Sequence, residues 1–448
     1  MSHGFYGGIH PSSSKTLTSD RPIKKAFVPK KVVLPLLQHT GSIAEAVVSV
    51  GDAVKVGQLI AKSTGFISSP VHASIAGKVT KIGYSPTPTS SRVLSITIEA
   101  EGNEDQDIKI PDARDVNAMT AETLLGIIKD TGIVGAGGAA FPTYVKLSPP
   151  KTKPIDTVIL NGAECEPYLT CDHRLMVEKA PQIFKGLDII LKILGAKNAY
   201  IAIEDNKLSA IYAMEREIRK INEKSGIFPR KKTDHSIKVV PLSTKYPQGA
   251  EKQIVKAVTN RVIPSGGLPM DVGCVVQNVG TVFAIYEAVY TAKPMIERVI
   301  TITGSCVKEP VNMWVRIGTL LSDLEPSFGG FKKEAKKIII GGPMMGVSQY
   351  TMDVPITKGA SGVLFLSEEE LDRSEESVCI RCGKCLEVCA MGLAPTALMQ
   401  RVKKDSFADA KELGIMNCFE CGACAYSCPA KIPLLDYMKF GKSKLLSV

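Results

Sequence analysis

Histidine and tryptophan are scarce in this chain, and their scarcity narrows the chemistry it can perform. The six histidines among 448 residues show no ligand spacing, and tryptophan occurs once, at Trp314. No Ser/His or His/Asp arrangement indicates a nucleophile with its base or a general acid–base pair. A separate metal site built on histidine is therefore not predicted.

The chain also lacks a long apolar run. A membrane-spanning helix needs about 20 consecutive apolar residues, whereas no uncharged stretch of this chain exceeds 15 residues. One of them, residues 272–286, contains Gln277, Asn278 and two glycines. The first residues, Met1-Ser-His-Gly-Phe-Tyr, include no apolar segment of the kind that a signal peptide carries. The sequence thus predicts a soluble protein in a reducing compartment, the cytoplasm.

Positive charge exceeds negative charge, with a formal net charge of +10. Part of the excess lies at Lys24, Lys25, Lys30 and Lys31, and part at residues 230–232. We interpret most of these side chains as solvated surface, although the charge would also suit an acidic partner or an anionic membrane. The basic runs have no aromatic platform or helix-turn-helix pattern beside them, so nucleic-acid binding is not predicted.

Cysteine is abundant near the C-terminus. Eight of the twelve cysteines form two runs with the spacing Cys-x2-Cys-x2-Cys-x3-Cys: Cys379, Cys382, Cys385 and Cys389, then Cys418, Cys421, Cys424 and Cys428. Zinc would need only four such ligands, usually as paired Cys-x2-Cys knuckles, and disulfides fit poorly with the absence of a secretory signal. The spacing is that of bacterial two-cluster ferredoxins.

This ferredoxin pattern implies how the eight thiolates divide, because the fourth cysteine of each run binds the other cluster. One 4Fe–4S cluster would take Cys379, Cys382, Cys385 and Cys428, and the other would take Cys418, Cys421, Cys424 and Cys389. The first run is followed by Ala390 instead of proline, which removes no ligand. We expect this module to carry single electrons.

The segments before the cysteine runs differ in pattern. Residues 1–28 are rich in Gly, Ser, Pro and Lys and predict an irregular arm. Short strand-like runs that alternate with turns follow up to residue 99, such as residues 47–52, which end in a turn signal at Gly51-Asp52. This second segment resembles the lipoyl and biotinyl barrel-sandwich domains, but residues 64–70, where carriers place their modified lysine, contain no lysine. We therefore predict a structural or docking domain.

Beyond residue 115, apolar strands alternate with helical patterns at about 178–194, 207–223 and 249–259, which indicates a layered α/β domain with a largely parallel sheet. From residue 297 the pattern becomes rich in strands again and suggests a small β-grasp insert.

A glycine-rich loop is the second strong motif. It is Gly132-Ile-Val-Gly-Ala-Gly-Gly-Ala-Ala-Phe-Pro-Thr-Tyr-Val-Lys146. Glycines let a ligand approach the backbone, and free N–H groups suit a phosphate or a flavin edge. The loop differs from the Rossmann fingerprint and lacks the Gly-Lys-Ser/Thr ending of a P-loop.

This loop resembles the Gly-x-Gly-Gly-Ala-x-Phe-Pro-Thr-x-x-Lys loop of the NADH- and FMN-binding subunit of respiratory complex I. The resemblance continues at Asn161-Gly-Ala-Glu-Cys-Glu-Pro167 and at Val275-Val-Gln-Asn-Val-Gly-Thr281. With the barrel-sandwich, β-grasp and two-cluster segments, nearly the whole chain resembles the C subunits of Rnf electron-transport complexes.

The resemblance implies a set of site residues. FMN would contact Gly135, Gly137, Gly138, Lys146, Asn161, Asn278 and Thr281, and the NADH side would be formed by Phe141, Glu164, Glu166 and Glu251. Several positions depart from the family pattern, namely Ala163, Cys165, Ala250 and Gln277, so the dinucleotide contacts are less secure than the flavin contacts. The pair Glu164 and Glu166 is also compatible with an ordinary surface turn beside Pro167.

The resemblance further implies an NADH-dependent oxidoreductase subunit with FMN and two 4Fe–4S clusters. It would exchange electrons between NAD(H) and the other subunits of a membrane complex, with ferredoxin as the indirect partner. The chain would be peripheral, on the cytoplasmic side of the membrane, and attached through its partners. Two alternatives remain open: a soluble flavin/iron–sulfur reductase similar to cobalamin reductase, and a non-catalytic electron-wiring subunit.

We thus predict an α/β plus β multidomain fold: an N-terminal barrel-sandwich hybrid, a central α/β flavin and nucleotide domain, a β-grasp insert and a C-terminal helical two-cluster ferredoxin-like module. The expected boundaries are an arm at 1–28, the barrel-sandwich domain at 29–112, the FMN- and NADH-binding domain at 113–293, the β-grasp domain of the SLBB type at 294–368 and the cluster domain at 369–448.

Overall fold

The computed structural model describes residues 4–102, 105–107, 115–224 and 235–446. The basic residues 230–232 and the expected boundary after residue 112 lie outside these described residues. The strands are β1 (Lys24–Lys25), β2 (Lys31–Pro35), β3 (Glu45–Ala46), β4 (Ala53–Val54), β5 (Leu59–Lys62), β6 (Val71–His72), β7 (Gly77–Thr87), β8 (Ser90–Glu99), β9 (Thr157–Gly162), β10 (Asn198–Glu204), β11 (Ser236–Leu242), β12 (Cys274–Asn278), β13 (Glu297–Thr303), β14 (Val311–Arg316), β15 (Lys337–Ile340), β16 (Val347–Gln349) and β17 (Gly362–Leu366).

The α-helices are α1 (Ala121–Asp130), α2 (Thr143–Lys146), α3 (Cys171–Leu194), α4 (Leu208–Lys224), α5 (Glu251–Thr259), α6 (Val279–Thr291), α7 (Leu321–Leu324), α8 (Lys384–Glu387), α9 (Pro395–Lys403), α10 (Phe407–Glu412), α11 (Ala423–Tyr426) and α12 (Leu434–Leu446). None of these helices combines the length and the apolar character that crossing a membrane requires.

The barrel-sandwich domain consists of two facing sheets, ordered β2-β8-β7-β4 and β3-β5-β6. Alternate residues of β8, Ile96 and Ile98, are fully buried in its core, as expected for a strand with one apolar face. The turn predicted at Gly51-Asp52 is confirmed, since the Asp52 carboxylate accepts the Ser49 N–H at 2.8 Å and Gly51 has a φ of 102°, but the residues before it form no strand, so that part of the prediction is wrong. These features make the segment a turn between β3 and β4.

The central domain has the predicted parallel sheet. Its strands run in the order β11-β10-β9-β12, and every pair is parallel. Helix α3 packs against α6, and both bury apolar side chains in the core beside the sheet. The helix predicted at about 178–194 begins earlier, at Cys171, and is kinked at Lys179, two residues before Pro181. Proline removes a helical hydrogen bond and crowds the preceding turn, which accounts for the kink.

The β-grasp domain is a six-stranded mixed sheet in the order β1-β14-β13-β17-β15-β16. Its edge strand β1 comes from the N-terminal arm and pairs in parallel with β14. The arm also forms a 3-10 helix at Lys15–Leu17. The prediction of an irregular arm is therefore wrong for these two segments.

The C-terminal module is an internal repeat with an offset of 39 residues. Each cysteine run leads into one turn of helix, α8 or α11, and then into a longer helix, α9 or α12. The residues before the second cysteine of each run, Arg381 and Glu420, both have positive φ values, of 56° and 63°. The two runs thus share one loop geometry, although these two residues have opposite charges.

Candidate flavin and iron–sulfur site

The glycine-rich loop follows α1 and faces the start of α6. The Ala136 N–H donates to the Thr281 hydroxyl at 2.9 Å, which ties the loop to α6. A Cβ at Gly137 would lie 3.5 Å from the Asn278 Cβ, whereas a Cβ at Gly138 would meet no atom within 4 Å. The loop thus has one side against α6 and one open side where a ligand can approach the backbone.

Asn278 connects the start of α6 to the start of α3. Its side-chain oxygen caps α6 by accepting the Gly280 N–H at 2.8 Å, and its amide donates to Asp172 at 2.6 Å. Burial raises the pKa of Asp172 to about 7, the nearby charge of Glu164 adds to the increase, and the Asn278 hydrogen bond opposes it. Asp172 is a polar site residue that the sequence motifs did not indicate.

On the opposite side, Asn161 and Lys146 bind to the segment that leads into α5. The Asn161 amide donates to the Gly249 carbonyl at 2.8 Å. Lys146 forms a short ion pair with Glu251 and donates to the Val276 carbonyl at 2.9 Å. Phe141 is half-buried, and its carbonyl accepts the Gly135 N–H at 2.9 Å. The predicted flavin residues therefore surround one region of the central domain.

The acidic pair is bound within the protein. Glu164 accepts the backbone N–H groups of Asp172 at 2.8 Å and His173 at 3.1 Å, at the start of α3. Glu166 accepts the N–H groups of Met344 at 3.0 Å and Met345 at 2.8 Å, in a loop of the β-grasp domain. Burial raises the pKa of Glu166 to about 7, although both hydrogen bonds act in the opposite direction. Glu164 and Glu166 thus turn away from each other toward two different elements.

A lysine that sequence patterns did not indicate lies behind this acidic turn. Lys15, from the arm, is 8% exposed. Its ammonium donates to the carbonyls of Glu164 at 2.9 Å, Glu166 at 2.8 Å and Leu169 at 2.5 Å. The arm therefore fixes the backbone of the acidic turn, through a contact that spans about 150 residues of sequence.

The structure brings together four of the eight cysteines in one cavity and pairs Cys385 with Cys428 elsewhere. Cys389, Cys418, Cys421 and Cys424 line one cavity; we call them the inner set. Burial raises the pKa of Cys424 to about 12, and the charges of the other three cysteines of the set add to this increase. Cys385 has a raised pKa through burial, with a further contribution from Cys428. We call Cys379, Cys382, Cys385 and Cys428 the outer set, of which Cys382 is exposed.

The inner set fits an iron–sulfur cluster better than a single metal ion. Within the described residues, no group of three or more His, Cys, Asp or Glu side chains is arranged to hold one ion. A 4Fe–4S cube has one thiolate on each of four irons, so its four sulfur ligands surround a space instead of converging on a point. The cavity lined by the inner set fits this requirement.

Of the remaining cysteines, Cys171, Cys274 and Cys306 are buried, as expected of small apolar side chains. Cys165 is half-buried beside the Gly249 N–H at 3.4 Å, and burial raises its pKa to about 12.

Family comparisons match each part of this architecture. Residues 3–103 match the RnfC barrel sandwich hybrid domain, and residues 128–287 match the Nuo51 FMN-binding domain. Residues 299–348 match the SLBB domain, and residues 378–432 match a 4Fe-4S dicluster domain. The fold and its motifs therefore define an oxidoreductase subunit with an FMN-binding domain and two iron–sulfur clusters.

Full-length relatives identify the family. The C subunit of the proton-translocating ferredoxin:NAD+ oxidoreductase complex of Clostridium ljungdahlii is 47% identical over 99% of this chain and 94% of its own length. The C subunit of the Na+-translocating complex of Acetobacterium woodii is 40% identical over 100% of this chain and 98% of its own length. The chain belongs to the RnfC family, the C subunits of ion-translocating ferredoxin:NAD+ oxidoreductase complexes.

A solved structure has the same fold over most of the chain. The NAD+-reducing NiFe-hydrogenase in its H2-reduced state superposes with a TM-score of 0.51 and 16% identity, over 74% of this chain and 61% of that chain. At this level of identity the likeness concerns the fold alone.

Proposed function

We propose that this chain is the peripheral electron-transfer subunit of a membrane-bound ferredoxin:NAD+ oxidoreductase complex, on the cytoplasmic side of the membrane. When bound, FMN supplies two-electron exchange with NADH, and the clusters supply single-electron transfer. The task of the protein is then to hold these groups next to each other and away from competing reactions. One contact carries the proposal, the contact between the flavin-binding domain and the inner cysteine set.

This contact is direct and buried. Tyr246, in the segment before α5, is 1% exposed and donates its hydroxyl to the Cys421 carbonyl at 2.7 Å. Gln253, on α5, donates to the Ala390 carbonyl at 2.9 Å. Because α5 begins at Glu251, the partner of Lys146, the same short segment touches both the flavin region and the inner set.

The outer set reaches the surface of the cluster module. Cys382 is exposed, and its neighbours Val378 and Ile380 are 87% and 67% exposed. We assign the inner set to the side of the flavin domain and the outer set to the side of another subunit of the complex. Each set supplies four thiolates to one cluster.

For FMN, we propose that the open side of the loop at Gly135, Gly137 and Gly138 receives the flavin. Asn161 and Lys146 would contact it from the side of α5. Asn278 and Thr281 lie at the start of α6, where the positive end of the helix dipole favours a phosphate.

The NADH side is proposed at Phe141, Glu164, Glu166 and Glu251. In this region Glu166 would act indirectly, because its carboxylate accepts the N–H groups of Met344 and Met345 and so positions the loop that carries them. Glu166→Gln keeps one acceptor and loses the other. We expect a several-fold higher Michaelis constant for NADH, with FMN and iron contents unchanged. Glu122→Gln, an exposed change in α1, is the control.

The deciding experiment is anaerobic purification followed by titration with NADH. We expect one FMN and about eight irons per chain, and stoichiometric bleaching of the flavin absorbance. A second candidate is the electron-wiring subunit without a nicotinamide site, favoured by the internal hydrogen bonds of Glu164 and Glu166. Flavin that binds but does not bleach would support that candidate.

Membrane association tests the assignment to a complex. The chain from its native cells should sediment with membranes and be released with partner subunits by mild detergent. A freely soluble monomer with full activity would contradict the proposal.

A further inference from the structure

A second buried lysine, Lys358, lies where three domains meet beneath the glycine-rich loop. It belongs to the β-grasp domain and is 1% exposed. Its ammonium donates to the Pro70 carbonyl of the barrel-sandwich domain at 2.8 Å and to the Gly132 carbonyl, where the loop begins, at 2.7 Å. No carboxylate forms a salt bridge with it in the described part of the chain.

The backbone around Lys358 holds the same loop at further points. The Lys358 N–H donates to Gln38 at 3.1 Å, and its carbonyl accepts from Arg298 at 2.5 Å. Arg298 also donates to the Ala136 carbonyl inside the loop, at 3.0 Å. A Cβ at Gly359 would lie 3.1 Å from the Gly138 carbonyl oxygen, so the two segments are in close contact.

The segment that carries the modified lysine in lipoyl-type domains takes part in this junction. Residues 64–70 contain no lysine, yet Phe66 accepts the hydroxyl of Tyr144 and Pro70 accepts the ammonium of Lys358. In this chain the segment contacts the flavin domain through the Phe66 carbonyl and the β-grasp domain through the Pro70 carbonyl.

We propose that Lys358 is a positioning residue for the flavin: it fixes the start of the glycine-rich loop against the barrel-sandwich domain, and its positive charge strengthens FMN binding. This inference rests on the proposed FMN site. A charged donor makes stronger hydrogen bonds to carbonyls than a neutral one, so protonated Lys358 holds the loop more firmly. A loop that is already held in place loses less entropy when FMN binds, and this strengthens binding.

The surroundings of Lys358 make its charge sensitive to pH. Burial lowers the pKa of Lys358 to about 7. The charged or titratable groups that face it are His39 and His72 from the barrel-sandwich domain and Arg298 from β13. Burial and the Lys358 charge lower the pKa of His39 to about 4 and that of His72 to about 3, so both histidines are neutral between pH 7 and pH 9.

The test measures the dissociation constant of FMN from pH 7 to pH 9, by reconstitution of flavin-depleted, cluster-loaded protein. A phosphate monoester has its second pKa near 6 and is already a dianion in this range. We expect the wild type to bind FMN less tightly as the pH rises. Lys358→Met should bind on the order of tenfold more weakly at pH 7, with little change up to pH 9. Lys358→Arg should bind tightly without pH dependence, because arginine stays charged.

Tyr144→Phe is the matched control, since it removes another donor to a barrel-sandwich carbonyl without removing a charge. It should keep the pH dependence of the wild type. Iron content and melting temperature check that each variant is folded. Wild-type affinity for FMN in Lys358→Met, or an unchanged pH dependence, would overturn the inference. If Lys358→Met does not fold, a wild-type affinity that is independent of pH overturns it as well. Failure of the wild type to bind FMN at all would instead contradict the proposed function.

Discussion

Two buried lysines illustrate what single residues contribute to this protein. Lys15 and Lys358 have no local sequence signal, because each donates to carbonyl groups that lie more than 100 residues away. Arg298 and Asp172 also have partners that are distant in sequence, the Ala136 carbonyl and the Asn278 amide. By contrast, the glycine loop and the cysteine runs could be predicted, since their chemistry depends on residues that are close in sequence.

The cysteine assignment gives a prediction for one residue. Cys382→Ser should remove one cluster and reduce the iron content by about half, because one of the four thiolates is lost. FMN content should be unchanged, since Cys382 is exposed and belongs to the cluster module, not to the flavin domain. Iron analysis and EPR of the reduced protein measure the loss. Cys306→Ala, at a buried cysteine outside both runs, should keep all the iron.

The contact between the glycine loop and Asn278 gives a second prediction. Gly137→Val should remove FMN while both clusters persist. A Cβ at Gly137 would lie 3.5 Å from the Asn278 Cβ, so the methyl groups of valine would crowd Asn278, one of the residues proposed to contact FMN. Flavin extraction measures the effect. Gly126→Val, in α1 where a Cβ meets no atom within 4 Å, is the control. Retention of flavin at wild-type stoichiometry would place the site elsewhere.

Among the elements, regular ones were predicted better than irregular ones. The parallel sheet and the helices near residues 207–223 and 249–259 follow from hydrophobic periodicity, and the structure confirms them. β1 was not predicted, because a two-residue strand of exposed lysines has no apolar face and its partner β14 lies about 290 residues further along the chain. The division into five domains at the stated boundaries stays a prediction.

The contact between α5 and the inner cysteine set allows a test on the level of elements. Tyr246→Phe leaves the Cys421 carbonyl without its donor, which costs about 1–3 kcal/mol for a buried group. We expect faster loss of iron to a chelator, confined to one cluster, with FMN retained. Tyr426→Phe, an exposed change in the same module, should behave like the wild type. Equal rates of iron release in all three proteins would refute a role for this contact.

For the whole molecule, buried histidines and buried acids respond to pH in opposite ways. Burial lowers the pKa of His72 to about 3. As the pH falls below 6.5, His72 therefore binds a proton in the unfolded state but stays neutral in the folded state. This uptake lowers the free energy of unfolding. Burial raises the pKa of Glu166 and Asp172 to about 7, so these acids have the opposite effect between pH 7 and pH 4.5.

Because the two effects offset each other in the wild type, the prediction concerns a difference between variants. His72→Gln removes the group whose protonation favours the unfolded state. As the pH falls below 6.5, the free energy of unfolding of this variant should therefore decrease less than that of the wild type, by about 1.4 kcal/mol per pH unit. Urea titrations followed by the fluorescence of Trp314, at pH 7.5 and pH 5.5, measure it. His10→Gln, at an exposed histidine, should leave the pH dependence of the wild type unchanged.

The docking of the N-terminal arm has a consequence for the order in which the protein matures. The Gly8 N–H donates to the Val388 carbonyl at 2.8 Å, and a Cβ at Gly7 would lie 2.7 Å from the Cys389 carbonyl oxygen. Residues 7 and 8 can therefore dock only after partners about 380 residues further along the chain, beside a cysteine of the inner set, have been synthesised. Docking of the N-terminal arm therefore requires a folded cluster module. Protease cleavage near Gly8 should be fast in newly made chains and slow in mature ones, and would distinguish the two.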